Sequence, residues 1–75
     1  MKEILRAKVI VNGKVYPGKR EVEMYEGNDQ KTQDANRGLT LRVQNSIRDA
    51  VKIKNGLKVS ISKGEPVNYD DIESV

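Results

Sequence analysis

Cysteine, histidine, tryptophan and phenylalanine are all missing from this chain of 75 residues. Without cysteine there are no disulfides and no thiol chemistry, and without cysteine and histidine nearly every transition-metal or structural zinc site is excluded. No cofactor is therefore expected. The usual nucleophile–base pairs lose their members too. The only adjacent carboxylates are Asp70 and Asp71, and the glycines show neither a dinucleotide-binding nor a P-loop spacing. The chain reads as non-enzymatic. No run approaches the roughly 18 consecutive apolar residues of a membrane span. The N-terminus also lacks the apolar centre of a secretory signal, so the expected location is the cytoplasm, with no membrane partner.

What is present must supply a core from valine, isoleucine and leucine, with 36% hydrophobic residues and three tyrosines. A single domain this short buries only about 60% of the surface its unfolded chain exposes. Small domains without disulfides or metals often recover burial by associating, so a homodimer is expected.

Charge alternates along the chain behind a net value of +3. Residues 1–20 carry +5, 21–38 carry −3, 39–63 carry +5 and 64–75 carry −4. The basic balance permits a nucleic-acid partner, while the acidic segments keep it from being required.

Residues 3–11 are rich in β-branched side chains and predict a strand. Asn12-Gly13 is a strong hairpin turn signal, with a return strand over Lys14–Tyr16 that Pro17-Gly18 is expected to interrupt. Arg20–Tyr25 resumes alternation as a strand with one wet face. Residues 26–38 are almost wholly polar and predict a long loop. Leu39, Leu41 and Val43 alternate with Thr40 and Arg42, which predicts a strand. Ser46 and Asp49 resemble a helix-starting box, so a short helix over 46–54 is expected, with Asn55-Gly56 as its left-handed exit. A helix beginning near Leu39 is the competing reading, because Leu39, Val43, Ile47 and Ala50 also fit a helical stripe. Leu57, Val59 and Ile61 predict a further strand. In the acidic segment 64–75 only Val67, Ile72 and Val75 are available to dock, as an edge strand or a tail ordered by contact.

The order and spacing over residues 34–61 resemble the cradle-loop barrels. These include the swapped-hairpin domains of the AbrB and MazE type and the double-psi β-barrels. Leu41, Arg42 and Val43 stand for the first strand of that pattern, and Ile47, Arg48, Asp49, Ala50, Val51 and Ile53 for its helix. Lys54, Asn55 and Gly56 match the turn, and Val59, Ser60 and Ile61 the last strand. Asp34, Ala35, Asn36, Arg37, Gly38 and Leu39 look like the double-psi loop. Gln44, Lys52 and Leu57 depart from the swapped-hairpin pattern, and the N-terminal hairpin belongs to neither group. The resemblance implies an α+β, mostly β architecture: a small barrel built from a β-hairpin plus a β-α-β unit and completed by homodimerisation.

It also implies a small dimeric regulator that binds DNA, with Arg37, Arg42 and Arg48 facing the duplex and Lys31, Lys52 and Lys54 neutralising phosphates. Arginine forks read guanine edges, whereas lysine mainly makes affinity salt-sensitive. The alternative for each of these cations is a solvated helix or strand face. The N-terminal cations Lys2, Arg6, Lys8, Lys14, Lys19 and Arg20 suit either a second phosphate-facing surface or the protection of an edge strand. Tyr16, Tyr25 and Tyr69 suit base stacking or the rim of the core. The rival class is a protein-interaction module: an adaptor of the double-psi kind, an antitoxin, or a viral or mobile-element inhibitor of a host factor.

Overall fold

The computed structural model describes residues 1–59 and 71–75. Two strands, β1 (Lys2–Val11) and β2 (Lys14–Glu23), pair antiparallel and are followed by one helix, α1 (Gln30–Lys54). This is an α+β arrangement in which the helix, not the sheet, is the largest element. Among the described residues the sheet has two strands and is open.

The hairpin follows directly from its turn. Asn12 and Gly13 both take positive φ (50° and 80°), the two-residue geometry that matches the twist of paired strands. It makes Val11 and Lys14 the closing pair and sets every later pair by counting outward, through Val9↔Tyr16 and Ala7↔Gly18 to Lys2↔Glu23. Alternation then places Leu5, Ala7, Val9, Val11, Tyr16, Gly18, Arg20 and Val22 on one face, and Ile4, Arg6, Lys8, Ile10, Val15, Pro17 and Lys19 on the other.

Pro17-Gly18 does not interrupt the return strand. In an antiparallel ladder, successive residues point their backbone groups alternately at the partner strand and away from it. Lys19 points away: its N–H donates to the Glu73 carbonyl (2.9 Å) and its carbonyl accepts from the Glu73 N–H (3.0 Å). Pro17, two residues earlier, has the same orientation, so the hairpin needs no N–H from it. Gly18 has a different role. A Cβ built there would lie 2.7 Å from Val51 Cγ2, 3.0 Å from Ile47 Cγ2 and 3.3 Å from Ile72 Cγ2. Only a residue without a side chain lets the helix settle this close.

The helix overturns three expectations. Residues 30–38 are its first turns rather than a loop, residues 39–43 are helical rather than a strand, and Ser46 is mid-helix rather than a cap. The first strand of the expected β-α-β unit over 39–63 is therefore helix. The competing helical reading from Leu39 was nearer, yet still nine residues short of the start at Gln30. Leu39, Leu41 and Val43 satisfy a period of two, but Leu39, Val43, Ile47 and Ala50 also satisfy the helical period, and the sheet offers a single face to cover. The helical stripe wins: Val43, Ile47, Ala50 and Val51 are buried, while Leu41 is left 58% exposed.

Asp29 is the actual N-cap, with Oδ2 accepting from the Thr32 N–H (3.3 Å) and Oδ1 from the Thr32 hydroxyl (2.7 Å). A second tie fastens the polar half. The Asn36 side-chain amide accepts from the Tyr25 N–H (2.9 Å) and donates to the Tyr25 carbonyl (3.0 Å).

The expected exit is present. Gly56 takes φ of 70°, its N–H donates to Ile53 O (3.2 Å), and the Leu57 N–H donates to Lys52 O (2.8 Å). These two bonds are the Schellman pair. Residues 57–59 then run without regular structure, and the rest of the strand expected over Leu57–Ile61 lies outside the described residues. So do Val67 and Tyr69. At the C-terminal end Ile72 is buried against the core and Glu73 bridges Lys19, as expected of a docking tail, whereas Val75 is 56% exposed. The core comprises Leu5, Val9, Val43, Ile47, Ala50, Val51 and Ile72.

Two measurements probe this packing. Gly18→Ala forces a methyl against Val51 and Ile47 and is expected to lower unfolding stability by about 1–3 kcal/mol in urea titration. Combining it with Val51→Ala makes room for that methyl, so the double variant is expected to lose less than the two single losses added. An unaltered Gly18→Ala midpoint would refute the close approach. The Asp29 carboxyl is held below the usual aspartate range, first by the Thr32 hydroxyl and then by backbone amides. A depressed folded pKa means that the cap's contribution is complete above the ordinary value of about 3.9. It is lost as pH falls through the lower folded value. The Thr32 amide resonance should report that acidic transition, and Asp29→Asn should abolish it.

Candidate nucleic-acid interface

An α-helix turns once in 3.6 residues, so positions separated by four, eleven and fifteen residues share one stripe. Arg37, Leu41, Arg48 and Lys52 have that spacing, counted from Arg37. They run for about 22 Å along the flank of α1. Arg37, Leu41 and Arg48 are exposed and Lys52 is half-buried. Arg48 Nη1 donates to Asn45 Oδ1 (3.2 Å), which steadies the guanidinium at the surface.

The remaining expected site residues are placed differently. Arg42 and Lys31 lie on the crown of the helix, turned away from the sheet, on the same side as Asp49 and near Asp34. Lys54 sits in the last turn on the side of the sheet, where with Lys52 it complements the negative end of the helix dipole. The structure therefore brings together Arg37, Arg48 and Lys52, adds Arg42 and Lys31 at the margin, and leaves Lys54 apart. Among the described residues, ion pairs involve Met1 with Glu23 and Glu26, Lys2 with Glu21, and Lys19 with Glu73. None joins a helix cation to a carboxylate.

The N-terminal cations divide as well. Arg20 is on the inner face, half-buried, with Nη2 donating to Ser46 Oγ (3.3 Å). It is thereby removed from the group to which it was assigned by sequence. Lys14 lies by the turn with its ammonium 5.2 Å from the Tyr16 ring centroid. Arg6, Lys8 and Lys19 remain together on the outer face, with Arg6 directly opposite Lys19.

Comparison with protein-family models, with curated proteins and with solved structures finds no match. The site is therefore argued from its own residues. The Arg6–Lys19 pairing was available from the turn: counting outward from Asn12-Gly13 pairs residues whose numbers sum to 25, which joins 6 to 19. Breaking the strand at Pro17 hid it. Among the described residues no helix is long and apolar enough to cross a membrane. No group of carboxylates there could hold a metal ion.

Proposed function

We propose that the protein is a non-enzymatic binder of duplex DNA whose primary contact is the flank of α1. The observation that carries this reading is the Arg37–Arg48–Lys52 stripe, three cations on a rigid rod with no carboxylate partner among the described residues. A helix of this diameter fits the major groove, arginine supplies the forked donors that read guanine, and lysine meets phosphate. Exposed Leu41, between Arg37 and Arg48, offers an apolar contact of the kind made with thymine methyl groups. The resemblance to swapped-hairpin regulators adds less, because residues 41–43, which stand for the first strand of that pattern, are helical here.

Three neutralised phosphates give a log–log salt slope of about −2.7, so affinity for a mixed-sequence duplex should fall roughly 40-fold between 50 and 200 mM salt. Fluorescence anisotropy measures this. Arg48→Ala is expected to weaken binding on the order of tenfold, and Arg42→Ala less, because Arg42 stands off the Arg37–Arg48–Lys52 stripe. A duplex affinity that is undetectable or indifferent to salt would refute the DNA reading and return the helix flank to a protein partner.

A further inference from the structure

We infer that the outer face of the β1–β2 ribbon is a second phosphate-binding surface, so that one molecule can hold two DNA duplexes, one on each side of its helix–sheet layer. The inference rests on the DNA reading of the helix and adds a second, opposed site to it.

The starting point is a cross-strand pair that works against the fold. Arg6 and Lys19 are direct partners, and by the alternation set from the turn they form a non-hydrogen-bonded pair, in which side chains come closest. Like charges directly opposite are destabilising. The same face shows the opposite choice at its far end. There Lys2 faces Glu23 and lies 3.7 Å from Glu21, while the N-terminal ammonium lies 2.8 Å from Glu23. Charge is paired along the strands at one end of the ribbon, whereas at its centre Lys19 shares a pocket with Glu21, Asp71 and Glu73, and Arg6 and Lys8 form no ion pair among the described residues. Of these Glu73 lies 3.9 Å from Lys19 Nζ and is 78% exposed. It makes a loose surface pair with one of the three cations.

Edge protection is not needed at Lys19. At Lys19 the outer edge of β2 is already occupied by Glu73, and Pro17 has no N–H to offer another strand. The geometry does suit a phosphate chain. Arg6 and Lys8 are two residues apart on one face, about 6.8 Å, which is about two base steps of rise at about 3.4 Å per strand. Lys19 stands across the ladder from Arg6. Ile10 and Val15, a facing pair that is 59% and 50% exposed, flank the cations on the turn side. They offer an apolar shoulder to sugar. Because the inner face of the ribbon is packed on α1, the outer face and the cationic flank of the helix present themselves to different ligands.

A capture assay with the full chain tests the inference. An immobilised mixed-sequence duplex is loaded with protein at low salt, and a second, fluorescent duplex is added. The parent protein should retain the second duplex. The double variant Arg6→Gln, Lys8→Gln should retain at least about tenfold less, while its affinity for a single duplex in solution stays within about twofold of the parent. Arg6→Glu supplies a second readout: it gives Lys19 an opposite charge, so it should raise the unfolding midpoint while also reducing capture. A parent that binds one duplex but captures no second refutes the inference and leaves the helix reading standing. A parent that binds no duplex refutes both. Undiminished capture by the double variant, with light scattering showing a dimer, would assign bridging to paired helix faces and overturn the inference.

Discussion

The structure depends on the contact between one glycine and one helix. Gly18 leaves a bare patch of backbone in the middle of β2, and Ile47 and Val51 rest on it with Ile72 closing the side. A chain without tryptophan or phenylalanine has only aliphatic groups of modest size to bury. It therefore gains most by bringing helix and sheet as close as backbone atoms permit. All the buried residues of α1 fall between Val43 and Val51, where the helix crosses the ribbon. The preceding three turns extend past that crossing, touching the core through Leu39 and held at their start by polar contacts.

The hairpin and the helix exit were legible because each is encoded by adjacent residues. Asn12-Gly13 and Asn55-Gly56 both require positive φ, and neither needs tertiary information to be recognised. The helix start was not legible. Leu39, Leu41 and Val43 carry two periods at once, and only the presence of a single sheet face to cover decides between them. Polar residues 30–38 contain no apolar periodicity, so the Asp29–Thr32 cap is the sole local sign that a helix has begun there. Pro17 misled for a related reason: whether a proline breaks a ladder depends on which way its missing N–H would point, a property of register rather than of composition.

The same distinction governs the candidate site. Arg37, Arg48 and Lys52 were identifiable as exposed cations, but their alignment exists only if one uninterrupted helix runs from Gln30. With a loop to residue 38 and a strand to 43, Arg37 and Arg48 would belong to different elements. On the ribbon, the pairing of Arg6 with Lys19 is a consequence of turn geometry. There the chain sets two like charges directly opposite each other, eased on the Lys19 side by Glu73, and natural proteins stand close enough to their stability limit that such choices carry weight.

The Asn36 amide matches the donor and acceptor of a peptide group, and its two bonds to Tyr25 extend the end of β2 by one pseudo-rung. That rung spans the boundary between two grades of helix. Beyond it lies the half that contains the buried aliphatic contacts, whereas the turns before it hold none. Lys31 therefore rides on the polar turns before that rung, while Arg37, Arg48 and Lys52 all follow it on the helix that carries the core contacts. The Asn36 tie thus fixes the direction in which the helix leaves the ribbon, and with it the line along which Arg37, Arg48 and Lys52 stand, at a distance from the packing around Gly18.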